Sequence, residues 1–191
     1  MNDKVNFRVG DYYYYEFEYG GSADGETIRI REDASTPTPP YPPFVRYSLA
    51  TGINVILDEC GRIPLLLPTW LPEGMKYADV YIGPVIIITF SYEKVEDFRF
   101  AEFGIHIKRV RSGGLEELNE TVEYARKRGE NDIELMKIGE IWAVVVRRAN
   151  MAWIMAWFFK DDYYYIVSVK APLTFQDLIK IIESMKPITP K

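Results

Sequence analysis

Residues 139–170 read GEIWAVVVRR, ANMAWIMAWFFK, DDYYYIVSVK, three apolar runs rich in β-branched and aromatic residues. Turn-forming pairs separate them at Ala149 and Asn150 and at Asp161 and Asp162. Runs of this composition predict strands, and two-residue connections predict hairpins, so an antiparallel meander is expected. Counting from the turns sets the register: Phe159 opposite Tyr164, Trp157 opposite Ile166, Trp142 opposite Trp157, Val144 opposite Met155 and Val146 opposite Trp153. Side chains alternate between the faces of a sheet. One face therefore collects Ile141, Ala143, Val145, Ile154, Ala156, Phe158, Tyr165, Val167 and Val169. The other collects Trp142, Val144, Val146, Trp153, Met155, Trp157, Phe159, Tyr164 and Ile166, with Ser168 and Lys170 at its rim. Neither face is polar. A sheet with one solvated face alternates cleanly, so this one needs a cover on both sides.

The rest of the chain must supply that cover. Its 191 residues suffice for one sizeable core, or for a core domain with a small β appendage. A formal charge of −5 argues against non-specific nucleic-acid binding, which depends on neutralising phosphates. The single cysteine, Cys60, has no partner for an intramolecular disulfide. One glutamine amid plentiful Ile, Glu, Lys and Tyr is a thermophile-like balance. No apolar run approaches the roughly 18 residues of a spanning helix, so no membrane span is expected, and MNDKVNFRVG lacks the apolar centre of a secretory signal.

In chain order, residues 11–19 and 27–32 predict a hairpin around the loop at 20–25. Its four-tyrosine run, Tyr12 to Tyr15, fits a half-buried strand better than a stacking platform. The proline-rich stretch 35–44 predicts an extended connector. Two short strands, 45–49 and 53–58, are expected around a turn at Thr51 and Gly52. In LLLPTWLPEGM (65–75), Pro68 and Pro72 forbid a continuous helix and Gly74 permits a sharp turn into the next strand. Strands follow at 77–82, 85–92 and 103–110. The last alternates Phe103, Ile105 and Ile107 with Gly104, His106 and Lys108, as a half-buried strand does. Residues 115–128 predict a helix with Leu115, Leu118, Val122 and Ala125 on one stripe, acids early, bases late and Gly129 as the stop. A short run at 133–138 leads into the meander. The closing helix begins at Thr174, with Asp177 three residues on as a capping-box variant. It carries Phe175, Leu178, Ile179, Ile182 and Met185 as its apolar stripe, and Pro187 ends it.

Two of these segments, LPTWLPEG (67–74) and the hairpin-helix ending in IIESM (181–185), carry a resemblance. Together they resemble an uncharacterised bacterial and archaeal domain family marked by an opening LPxxLPEG motif and a closing helix. The layout is also similar to the C-terminal domain of RseB/MucB-type periplasmic regulators. The resemblance spans about residues 64–186. It implies an antiparallel sheet backed by a helix, an extracytoplasmic setting and no catalytic residues.

The residues themselves point the same way on chemistry. A Cys60–His106 couple would place the thiol after two acids that disfavour a thiolate. One Cys and one His fall short of a zinc ligand set. The carboxylate pairs Glu16/Glu18, Glu130/Asp132 and Asp161/Asp162 fit turns or solvated faces, and no phosphate-binding or nucleophile-elbow motif occurs. Basic residues at element ends (Lys108, Arg109, Arg111, Arg126, Arg128, Arg147, Arg148) read as solvated ends rather than an anion-binding rim. Asn119 opens a glycosylation sequon, but in the middle of an expected helix.

The fold expected is therefore α+β: a mainly antiparallel sheet, a C-terminal helix packed on one face and a second helix on the flank or other face. Residues 1–62 would extend or cap the sheet and 63–191 would form the α+β domain. The function expected is a non-catalytic interaction module with no cofactor. Its candidate contact residues are Trp142, Trp153, Met155, Trp157, Phe159 and Tyr164 on the second face. Three covers compete for that face: the 115–128 helix or N-terminal strands as plain core, an apolar ligand or peptide in a groove, and a second copy or other protein. A carrier of an apolar ligand and a hydrolase with a carboxylate site are the rival functions. The setting is extracytoplasmic or cell-surface by resemblance, with the cytoplasm as alternative.

Overall fold

The computed structural model describes residues 44–59, 65–110, 113–147 and 153–188. In chain order the strands are Val45–Ser48 (β1), Leu66–Pro68 (β2), Tyr77–Ile82 (β3), Ile86–Ser91 (β4), Phe103–Arg109 (β5), Ile133–Ile138 (β6), Ile141–Val146 (β7), Trp153–Lys160 (β8), Tyr163–Lys170 (β9) and Met185–Pro187 (β10). The helices among the described residues are Leu49–Glu59 (α1), Leu115–Lys127 (α2) and Phe175–Glu183 (α3), with a short 3-10 turn at Phe98–Phe100. Eight strands form one antiparallel sheet in the order β1-β3-β4-β5-β9-β8-β7-β6, while β2 and β10 form a separate antiparallel pair. The fold is α+β, as the residue pattern predicts. No described helix is long and apolar enough to cross a membrane.

Strand β9 lies inside the sheet because both of its sides are apolar. Tyr165, Val167 and Val169 are buried on one face, Tyr164 and Ile166 on the other. Its hairpin with β8 has the register counted from the sequence, Phe159 on Tyr164 and Trp157 on Ile166. Asp161, in the turn, takes φ 53, a left-handed value that Asp tolerates better than most residues. The preceding hairpin differs from expectation. Val144 opposes Trp157 and Val146 opposes Met155, two residues displaced from the expected register. The strands end at Val146 and resume at Trp153, too far apart for a two-residue turn; the expected turn residues Ala149 and Asn150 lie outside the described residues. Because the slip is even, every side chain keeps its face.

A second correction concerns 53–58, where the residue pattern predicts a strand after a turn at Thr51 and Gly52. The segment is the helix α1. Its β-branched residues suggest a strand, but Leu49, Gly52, Ile53 and Ile56 recur at helical spacing, and Ile56 is fully buried. Gly52 is a contact point and not a turn: a Cβ added there would lie 2.4 Å from Cβ of Val80. A third correction is burial in β5. Residues Phe103 to Ile107 are all buried, including Gly104 and His106, because β5 sits between β4 and β9 with both faces covered. The N-terminal hairpin and the proline-rich connector expected before Phe44 fall outside the described residues.

The two faces carry separate clusters. Ala143, Val145, Ala156, Phe158, Tyr165, Val167 and Val169 share one with Leu178, Ile181 and Ile182 of α3, Ile56 of α1, Leu65, and Leu66 and Met185 of the small β pair. The α3 stripe is thus centred one residue away from the expected one: Ile181 is core, whereas Phe175 and Ile179 are only partly buried. On the opposite face Val144, Val146, Met155, Trp157, Tyr164 and Ile166 cluster with Leu118, Val122 and Ala125 of α2. Leu115, placed on the same stripe from sequence, is exposed. A third, smaller cluster joins Tyr81, Val85 and Ile87 to Phe98.

The start of α3 is a capping box. The Thr174 backbone N–H and hydroxyl donate to Asp177 Oδ2 at 2.8 and 2.7 Å, and the Asp177 N–H donates to Thr174 Oγ1 at 3.3 Å. The Thr174 hydroxyl and backbone N–H hold the Asp177 carboxyl below the usual carboxylate range. Thr174→Ala is expected to cost about 1 kcal/mol in urea unfolding. The sign of the pH effect follows from the depressed value: the Asp177 contribution is complete above the unfolded carboxylate range and fades as pH falls through the folded one. The stability gap between wild type and Asp177→Asn should therefore shrink on acidification, and a gap that widens would refute this account.

Candidate interaction surface

The six aromatic and sulfur residues singled out from sequence do share one side of the sheet, at very different depths. Met155, Trp157 and Tyr164 are buried in the cluster with α2, Trp153 and Phe159 are partly buried against it, and Trp142 is 42% exposed. The glycine pair before α2 explains the close cover at Phe159, since a Cβ on Gly113 would meet the Phe159 ring at 2.2 Å. The buried side chains of α2 cluster with Val144, Met155 and Trp157, and Trp142 is not among them. Burial, and secondarily the charge of Glu117 on α2, pushes the Tyr164 phenol well above its ordinary range. Burial also raises the Tyr165 phenol, whose oxygen accepts from the Leu66 N–H at 3.4 Å. Both phenols are structural hydroxyls, protonated throughout the physiological range.

Several polar and titratable groups elsewhere have local contacts. His106 is buried, its ring edge-on to Phe98 with centroids 6.4 Å apart; Cys60, considered as its couple, lies outside the described residues. Among the described residues no group of three or more His, Cys, Asp or Glu side chains is placed to hold a metal. Arg147 pairs with Glu134 and lies over the Phe175 ring at 4.3 Å, and Arg128 pairs with Glu130 at 3.8 Å. Lys108 and Arg109 oppose Tyr164 and Tyr163, at the other end of the sheet from Arg147. Lys108 and Arg109 thus stand apart from Arg147, and Arg111 and Arg148 lie outside the described residues.

Two features escape the sequence reading. The first is a clasp between the segments LPTWLPEG and IIESM. Thr69 donates to the Ser184 carbonyl through both its N–H (3.1 Å) and its hydroxyl (2.8 Å). The Trp70 N–H donates to Ser184 Oγ at 3.1 Å, and that hydroxyl donates on to the Ile181 carbonyl at 2.8 Å. Strands β2 and β10 pair alongside. Gly74, at φ 85, permits the turn that follows, which the Met75 N–H closes onto the Pro72 carbonyl at 3.2 Å. The signal is present in the sequence, since the two segments stand at the start and end of one packed unit, but nothing local pairs Thr69 with Ser184.

The second is the outer edge of the sheet. Ile138 opposes Ile141 across the two-residue turn Gly139 and Glu140, and the Arg147 N–H donates to the Asp132 carbonyl at 3.0 Å. Both facts aim the even-numbered backbone groups of β6 at β7. Ile133, Leu135 and Lys137 therefore point their N–H and C=O groups away, and no described strand lies beyond them. Leu135 and Met136 are half-buried, and Trp142 stands directly opposite Lys137. An antiparallel α+β domain with an open six-residue edge and an exposed tryptophan one strand in is what the geometry of the described residues defines. Comparison with family models, curated proteins and solved structures finds no match.

Proposed function

We propose that this chain is a non-catalytic interaction module whose contact surface is the β6–β7 end of the sheet, centred on Trp142. The observation that carries it is the contrast within one face: Trp157 is 2% exposed under α2, whereas Trp142 is 42% exposed beside an open strand edge. Exposed tryptophan next to outward-facing strand backbone offers both halves of strand-addition binding, hydrogen bonds for affinity and an aromatic anchor for choice of partner. A carrier of an apolar ligand would need Met155, Trp157 and Tyr164 free, and their contacts are taken by Leu118, Val122 and Ala125. The resemblance of the LPTWLPEG and IIESM segments to an uncharacterised bacterial and archaeal domain family, and of the layout to RseB/MucB-type regulators, supports a setting outside the cytoplasm, in a secreted or surface-tethered protein.

Photo-crosslinking in the native host tests the surface. A benzophenone amino acid at position 142 should yield discrete adducts that the same group at exposed Lys94 does not. Identical adduct patterns from the two positions would remove Trp142 from the contact.

A further inference from the structure

We infer that the β6 edge pairs with β6 of a second copy, joining two sheets into one across a two-fold axis at Leu135. The inference rests on reading the chain as an interaction module and names the partner. Antiparallel strands related by a two-fold axis run the axis perpendicular to the sheet, so each side chain keeps its face. Only residues of the same parity can then oppose one another. The outward groups of β6 belong to Ile133, Leu135 and Lys137, a set symmetric about Leu135. Centring the axis there places Leu135 on Leu135 of the second copy, Ile133 on Lys137 and Glu134 on Met136. Every outward N–H and C=O of the strand then meets a ladder partner.

The side chains permit this. β6 carries one acid and one base, so two copies do not repel through it. Both charges are engaged within their own chain, Glu134 with Arg147 and Lys137 with Glu140 at 3.5 Å. Leu135 and Met136 offer half-buried apolar surface on the two faces. Trp142 sits in the row of Lys137, so Ile133 of the second copy extends that row on the far side of Lys137 from the indole. Charges on edge strands commonly guard against such pairing, yet here they flank the axis without occupying it. The contact is isologous, so it closes at two copies and leaves, among the described strands, the four-residue β1 at the outer edges.

Sedimentation equilibrium on the full chain should show a concentration-dependent dimer. Leu135→Lys sets like charges together at the axis and should weaken it at least tenfold, whereas Met136→Lys faces Glu134 and should not. In a Cys60→Ser background, Leu135→Cys should oxidise to a linked dimer, with the paired Cα atoms about 5.5 Å apart. Lys137→Cys should not, its two copies being offset by about 13 Å along the strands. A chain that stays monomeric at every concentration overturns the inference, and discrete adducts from position 142 to a different protein would then leave the interaction reading standing. A dimer indifferent to Leu135→Lys and without Leu135 linkage overturns the β6 placement.

Discussion

Replacing Trp157 with alanine is expected to destabilise the protein by about 3–5 kcal/mol, the cost of emptying a fully buried aromatic site. Trp157 lies at 2% exposure between Val144 and Ile166, its cross-strand neighbours, and shares a cluster with Leu118 and Val122 above it. Truncation leaves a cavity that α2 closes only by shifting, and its approach is already set by Gly113 against Phe159. The matched change Trp142→Ala should fall within about 0.5 kcal/mol of wild type, as surface substitutions generally do. Urea unfolding of both variants measures the difference directly. Equal losses would mean that the two tryptophans are equally buried and that the contact surface has been misplaced.

Gly52→Ala should also lower the melting temperature, against the local rule. Helix propensity favours alanine over glycine by about 1 kcal/mol in a helix interior. The new methyl, however, would stand 2.4 Å from Cβ of Val80 and 2.7 Å from its Cγ1. A clash with a Cβ is not relieved by turning a side chain, so α1 must move off β3, and overpacking of this kind costs about 1–3 kcal/mol or more. Gly52→Val should cost more still, with added volume and no propensity gain. Gly114 is the comparator: its φ is extended and an added methyl would meet nothing within 4 Å, so Gly114→Ala should be tolerated far better. A Gly52→Ala protein that melts higher than wild type would show that α1 does not sit on Val80.

How much of this was legible in the sequence depends on which residues carried two meanings. The meander was readable because β-branched and aromatic runs alternate over many residues, and an even slip in the β7–β8 register left the faces intact. Helices α2 and α3 were readable from their apolar spacing and, for α3, from Thr174 with Asp177. Residues 49–59 were not, because Ile53, Val55 and Ile56 satisfy strand propensity and helical spacing together, and Gly52 looks like a turn until Val80 is beside it. The proposed contact surface was half legible. Its residues were correctly assigned to one side, but which of them stay exposed depends on where α2 lies, and the glycines that set its approach do not encode that. The β6 edge was invisible, since a six-residue run says nothing about being outermost.

The position of β9 has a consequence for how the chain assembles. Its partners on one flank, β5, and on the other, β8, are separated by the excursion through α2, β6 and β7. During synthesis the β1–β5 half emerges with the apolar flank of Phe103, Ile105 and Ile107 waiting for a strand made much later. Long-range pairings of this kind fold slowly. The nascent polypeptide therefore carries a sticky, half-finished sheet from the completion of β5 until β9 emerges, a period in which chaperone shielding has the most to contribute.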